Sequence, residues 1–202
     1  MGRKTQISKE VILEAALKML IRDGYAAINI KTLSKEIGCS TQPLVWHFEN
    51  MEGLRNALAK YALNYANNKM CPSAEDATHA FVQVGIAYIQ IAIREPNLFK
   101  FLYMNGDSKF SLPSFESLKN YGNHEELVKR LSSSYHIPEE KIGRYLQNTI
   151  IYTHGIAALV AAGIIKTSEE EVIQMIDYAG NSFRMQEGIP LEQIQHTKVR
   201  QK

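Results

Sequence analysis

The chain reads as an all-α protein, and three observations point there. Apolar side chains recur at three- and four-residue spacing through nearly every segment, as in Ile12, Ala15, Ala16, Met19 and Leu20. No run alternates apolar and polar residues as a half-buried strand does. Capping and stopping residues fall at helical intervals, with Ser8, Asn29, Asn50 and Ser168 ahead of apolar periods and Gly24 and Gly38 behind them. Together these predict about nine helices, arranged as a small N-terminal three-helix unit and a larger helical domain.

The first helix starts after Ser8 and stops at Gly24. The second starts after Asn29, points Ile30, Leu33 and Ile37 inward, and stops at Gly38. Ser40 is the expected cap of the third, with Pro43 in its first turn, where a missing N–H costs nothing. Asn50 caps a fourth helix to about residue 68, with Leu54, Ala57, Leu58, Tyr61 and Tyr65 on one face. Cys71-Pro72-Ser73 marks the clearest boundary. A helix over 74–94 follows and stops at Glu95-Pro96, because the residue before proline avoids the helical region. A short helix covers 97–104, a loop 105–113, and a further helix 114–134. Pro138 opens a long helix to about 162. Ser168, followed by Glu169, Glu170 and Glu171, opens the last, which runs to about 186, since acids suit a helix N-terminus. The tail from Gly188 is polar. The expected organisation is 1–50 for the three-helix unit, 51–70 for a connecting helix, 71–190 for the larger domain and 191–202 for the tail.

Bulk properties exclude more than they assign. A net charge of +2 is too small to imply a nucleic-acid partner by itself. Its distribution is more telling, because residues 1–60 hold nine Lys/Arg against six Asp/Glu and the remainder is slightly acidic. Two cysteines, Cys39 and Cys71, are too few for a disulfide framework and fit a reducing compartment. The basic start has no apolar run behind it, Gly2 has no Ser or Thr at position 6, and the most apolar stretch, 156–165, is about half the length of a membrane span. The expected location is the cytoplasm, with no membrane partner.

Residues 30–48 carry the strongest functional signal. Two short helices meet at a tight turn, and the second opens with small and amide side chains and closes on Val45, Trp46, His47 and Phe48. A helix-turn-helix has this form when its second helix enters a DNA major groove. A core of Ile12, Ala16, Leu33, Ile37, Leu44 and Phe48 would set that helix at a fixed angle. Thr41 and Gln42 are the candidates for base edges, since glutamine bonds adenine in a bidentate way and the threonine methyl meets a thymine methyl. Pro43 offers an apolar face to the groove. Trp46 and His47 are candidate phosphate donors, and Lys9, Lys31, Arg3 and Lys4 add charge that positions without reading sequence.

Ile12 to Leu17, Asp23-Gly24-Tyr25, Leu33 and Ile37, Gly38-Cys39-Ser40 and the run Leu44 to Leu54 together resemble the TetR family of bacterial transcriptional regulators over residues 8–68. The resemblance implies DNA contacts for Asn29, Thr41, Gln42, Pro43, Trp46 and His47. Two positions depart from the family pattern. Val45 stands where tyrosine is usual and Met51 where lysine is usual, and both family residues commonly bind phosphate. The segment 87–102, with Ala92 and Pro96-Asn97-Leu98-Phe99, is similar to a run in many C-terminal domains of the family. Thr153-His154-Gly155 is similar to a Trp-His-Gly signature of one subclass, with threonine for tryptophan.

The helix over 138–162 is apolar nearly all round toward its end, so it is expected to be buried on two sides, one of them against a second copy. The last helix, through Val172, Ile176, Ala179, Gly180 and Phe183, would complete a four-helix dimer interface, as the resemblance implies, and a two-fold dimer suits a pseudo-palindromic operator. Aromatic side chains crowd the middle of the chain and are first of all core. Among them Tyr88, Phe99, Tyr103, Asn148, Tyr152 and His154 combine apolar bodies with a few polar groups, the pattern of a site for a small, mostly apolar or aromatic effector. His154 reads first as a core histidine bonded to a backbone carbonyl.

The expected function is therefore a DNA-binding, ligand-responsive dimeric regulator, a repressor on a double-stranded operator. The rivals are a helical interaction module without specific DNA binding and an all-helical enzyme. Nothing favours the enzyme: there is no metal-spaced His/Cys/acid cluster, no Gly-rich phosphate loop, no nucleophile–base pair and no cofactor signature.

Overall fold

The structure, a computed structural model, describes residues 7–71, 77–104 and 124–191. Among these every regular element is helical: α1 Lys9–Asp23, a single 3-10 turn Tyr25–Ala27, α2 Ile30–Ile37, α3 Gln42–Phe48, α4 Met51–Met70, α5 Ala77–Arg94, α6 Pro96–Tyr103, α7 His124–Tyr135, α8 Glu139–Ala161 and α9 Glu169–Glu187. The expected loop at 105–113 and the start of the helix expected from 114 lie outside the described residues, as do Arg3 and Lys4.

Local chemistry explains most helix ends. Ser8 Oγ accepts from the Val11 N–H at 3.3 Å, Asn50 Oδ1 from Gly53 at 2.9 Å and Ser168 Oγ from Glu171 at 3.2 Å. Gly24, Gly38 and Gly188 close α1, α2 and α9 with φ of 83°, 74° and 73°, a region L side chains rarely enter. One start differs from expectation. The N-cap of α3 is Thr41, not Ser40, and its backbone is already helical. A cap at Ser40 would place Pro43 at the third helical position, where it has no N–H to give the cap.

Helices α2 and α3 have eight and seven residues, too short to stand alone. Leu33, Leu44 and Phe48 hold them, at 0%, 1% and 5% exposure, against Ile12, Ala16 and Leu20 of α1. Burial of each such side chain contributes about 1.5–3 kcal/mol. That core does not stop at the three-helix unit. It continues through Leu54, Leu58 and Ala62 of α4 into Ile89, Leu98, Phe99 and Phe101, and ends on Ile156, Ala157 and Val172. A second, smaller core lies between α7, the start of α8 and the end of α9.

Helix α6 joins the two halves. It packs on α1 and α4 on one side and on α5 and α8 on the other. Asn97 Nδ2 donates to the Ile21 and Arg22 carbonyls at 3.2 and 3.4 Å, so α6 satisfies the open end of α1. Tyr25 stacks on Phe101 at 5.1 Å. Glu95, just before α6, accepts from Tyr65 (2.9 Å) and Lys69 (2.5 Å) of α4. Helices α8 and α9 pack along their length, and Glu169 ties α9 to α5 through Gln90 at 2.8 Å and Arg94 at 3.0 Å.

Candidate nucleic-acid interface

The turn between α2 and α3 is built from the backbone outward. Gly38 takes the left-handed conformation, and the Cys39 N–H reaches back to the Ser34 carbonyl at 2.9 Å. The chain reverses within a few residues and α3 emerges with a fixed roll. Leu44 and Phe48 face inward, leaving Thr41, Gln42, Val45 and Trp46 on the open face. Trp46 is 67% exposed and Val45 47%. A solvated helix face normally carries charge, and two large apolar side chains beside a threonine and a glutamine mark a contact surface. Lys31 and Lys35 of α2 are exposed nearby in sequence, and Lys9 lies 5.5 Å from the Phe48 ring.

The structure distributes the predicted residues unevenly. Thr41, Gln42 and Trp46 stand open, Pro43 is half-buried and Lys31 is exposed. Asn29 is a structural cap, its Oδ1 accepting from Lys31 and Thr32 at 3.0 Å while Thr32 Oγ1 accepts from the Asn29 N–H at 2.9 Å. His47 is turned inward. Its Nε2 lies 2.9 Å from the Ile7 carbonyl and must donate to it, since a carbonyl only accepts. That Nε2 proton is thereby committed to Ile7 and not to a phosphate. His47 therefore ties α3 to the start of α1, and Trp46, edge-on to it at 4.6 Å, is held in turn.

Sequence reasoning missed what fixes the far end of α3. Glu49 has φ 63° and ψ −52°, and the Asn50 N–H bonds the Phe48 carbonyl two residues back at 2.7 Å. This is a γ-turn in its rarer, strained form. It folds the Phe48 carbonyl against α4 so closely that a Cβ on Gly53 would lie 2.1 Å from that oxygen. The signal available in the sequence was a glycine in the first turn of a helix, where nothing else calls for one.

In the larger domain four of the six candidate effector residues converge. Tyr88, Phe99 and Tyr103 have ring centroids 5.1 Å apart, and Phe99 lies 6.1 Å from His154 and close to parallel with it. His154 is bonded not to a backbone carbonyl but to the Tyr88 hydroxyl, at 2.7 Å to Nδ1. Burial pushes its pKa below the ordinary histidine value. Asn148 is exposed and stands outside the cluster, and Tyr152 faces Phe183 of α9 at 6.3 Å. The apolar residues expected to face a second copy are also redistributed. Val172 and Ala179 are buried within the chain and Ile176 and Phe183 half-buried, while Met175, Tyr178 and Met185 form the open stripe of α9. On α8 the open stripe is Ile151, Gly155, Leu159 and Ala162.

Among the described residues no group of three or more His, Cys, Asp or Glu is placed to hold a metal, and no helix is long and apolar enough to cross a membrane.

Comparison with known proteins agrees with the architecture. Residues 12–58 match the family described as bacterial regulatory proteins, tetR family. Over 78 residues the chain is 28% identical to the class A tetracycline repressor protein from transposon 1721 and 26% identical to the class C tetracycline repressor protein, both from Escherichia coli. That match takes in 39% of this chain and spans 36% of the length of either curated relative. In fold, the chain is similar to TetR from Acinetobacter baumannii AYE (TM-score 0.63, 14% identity, 90% of this chain and 98% of that one). It is also similar to a variant of that protein in complex with minocycline (TM-score 0.60, 17% identity, the same coverage). Residues 12–58, which hold the helix-turn-helix, thus match the tetR family of bacterial regulatory proteins, and the all-helical frame behind them is similar in fold to solved TetR structures.

Proposed function

We propose that this chain is a cytoplasmic DNA-binding transcriptional regulator, a repressor acting as a homodimer on a pseudo-palindromic operator and released by a small, mostly apolar or aromatic effector. The observation that carries the reading is the open face of α3. Thr41, Gln42, Val45 and Trp46 project from a helix whose other side is locked by Leu44, Phe48 and the His47–Ile7 bond. Thr41 and Gln42 are the base-reading pair, and Trp46 with Lys31 and the backbone N–H groups at the start of α3 hold the phosphates.

The effector reading rests on the ring cluster of Tyr88, Phe99, Tyr103 and His154. Two of its rings are carried by α6, which also holds Asn97 on the end of α1. A ligand that spreads those rings moves α6 and with it the three-helix unit. That is the differential contact an effector needs to alter DNA affinity, and about 1–3 kcal/mol of coupling suffices. A TetR variant of similar fold is seen in complex with minocycline, a multi-ring small molecule. The dimer reading rests on the open stripes of α8 and α9.

Fluorescence anisotropy with promoter-proximal and random duplexes at several salt concentrations tests the proposal. Specific, salt-sensitive binding is expected, and Trp46→Ala should weaken it about tenfold or more with little loss of melting temperature, because the side chain is mostly exposed and its contact within the fold is the edge of His47. Equal binding to both duplexes, or none at low salt, favours a helical interaction module instead. Val45 supports that second reading, being an exposed aliphatic where the family places a phosphate ligand.

A further inference from the structure

The smaller core at the far end of the helical domain holds a side chain that nothing so far explains. Arg184, in the last turn of α9, is 2% exposed and among the largest fully buried side chains described. Its Nη2 donates to the Tyr135 hydroxyl at 2.7 Å, and that hydroxyl lies 2.8 Å from Thr78 Oγ1. Its guanidinium carbon stands 5.4 and 5.6 Å from the Tyr135 and Tyr145 ring centroids. Nε and Nη1 have no hydrogen-bond partner in the protein. Nor does the nearest acid on its own helix answer it. Glu187, one turn further on, is buried and has both carboxylate oxygens held by Arg144, at 3.0 and 2.9 Å.

A guanidinium cannot escape burial by losing its proton. Stacked rings and one tyrosine oxygen offset part of the desolvation and leave four of the five N–H bonds unused. Buried polar groups are satisfied as a rule, and an exception calls for a partner that completes it. The planar fork of arginine matches a carboxylate bidentately, and the walls here are aromatic: Phe81 lies 6.3 Å from Tyr145 and Phe183 borders the same core. We propose that Arg184 anchors a binding site for an aromatic monocarboxylate, the carboxylate accepting from Nη1 and the second N–H of Nη2 and the ring packing against the aromatic side chains of this core. This rests on the reading of the helical domain as a ligand-binding domain, and it sets the site at the end of the bundle away from the α6 ring cluster.

Calorimetric titration of the full chain, without DNA, with phenylacetate and its uncharged isostere phenylacetamide tests the site. Saturable binding of the acid is expected, about tenfold or more tighter than the amide. Arg184→Met should lose that preference and melt no lower than the parent, since an apolar chain of similar length replaces an unpaired charge. Equal binding of acid and amide, no binding of the acid, or an unchanged preference in Arg184→Met overturns the proposal. So does a melting temperature several degrees lower for Arg184→Met, which would make the guanidinium a structural tie to Tyr135. Because no step involves DNA, a failure of the operator reading leaves this result standing, and the reverse holds too.

Discussion

Gly53 holds the α3–α4 junction by the atom it lacks. A Cβ there would sit 2.1 Å from the Phe48 carbonyl oxygen, and the clash is with backbone, which cannot rotate away. Gly53→Ala is expected to cost about 1–3 kcal/mol and to swing α3 out of register, so melting temperature and operator affinity should fall together. Gly85 in α5 is the control. Nothing lies within 4 Å of its missing Cβ, and Gly85→Ala should stabilise by up to about 1 kcal/mol through helix propensity alone. Met51 gives a second residue-level test. It is half-buried at the start of α4, packed against the main core. A lysine there can keep its stem on that surface and send its ammonium to solvent. Met51→Lys should then add a phosphate contact and steepen the slope of log affinity against log salt by about one unit per subunit, with little change in sequence preference. An unchanged slope in salt titrations would remove position 51 from the interface.

At the scale of elements, the α5–α6–α8 junction has a built-in pH dependence. Burial lowers the His154 pKa below the ordinary 6.5 and so favours the neutral ring in the fold. Below that value the unfolded chain takes up a proton that the folded chain refuses, so this contribution is present above about pH 6.5 and drains as pH falls through the folded value. His154→Phe keeps the stacking on Phe99 and removes the titration, so its melting temperature should fall less than the parent's between pH 7.5 and 5. Identical slopes would mean that the Tyr88–His154 pair is not what titrates. How far such elements could be read in advance depended on range. Caps at Ser8, Asn29, Asn50 and Ser168 are written within four residues and were legible. The start of α3 was not, because Pro43 moves the cap by one position through the N–H it lacks. The rings of Tyr88, Phe99 and Tyr103 were legible as a group from composition and spacing. Asn148 and Tyr152 stand apart from those rings because the roll of α8 is set by its partners: Ile142, Tyr145, Thr149, Thr153 and Ile156 form its buried face, and Asn148 falls opposite. Arg184 was invisible, since a charged residue in a helix reads as a solvated face until the neighbouring helices are in place. Val172, Ile176, Ala179 and Phe183 of α9 were legible only as an apolar face, their spacing not saying whose core it joins.

For the whole molecule, two groups of exposed apolar side chains stand out among the described residues. One is the α3 face with Val45 and Trp46. The other is the open side of α8 and α9, where Ile151 is 40% exposed, Leu159 38%, Met175 38%, Tyr178 80% and Met185 67%. The small residues Gly155 and Ala162 in the α8 stripe let a second helix approach closely. A two-fold contact is self-complementary, so every side chain in it occurs twice, and one substitution places two charges in the interface. Tyr178→Glu touches nothing buried within one chain, so the fold should survive, with unchanged helical content by circular dichroism. Light scattering should show the particle mass falling by half. Operator affinity should fall much further than a lost rim contact explains, because half-sites about one helical turn, roughly 34 Å, apart need two coupled α3 helices, and a monomer offers one. Binding to an isolated half-site should stay as it was, since α3 and its supports are untouched. A Tyr178→Glu protein that remains dimeric and holds its operator would place the dimer contact elsewhere on the chain. A monomer that still binds the full operator with parental affinity would break the link between the two apolar surfaces, and with it the argument that this fold reads DNA as a pair.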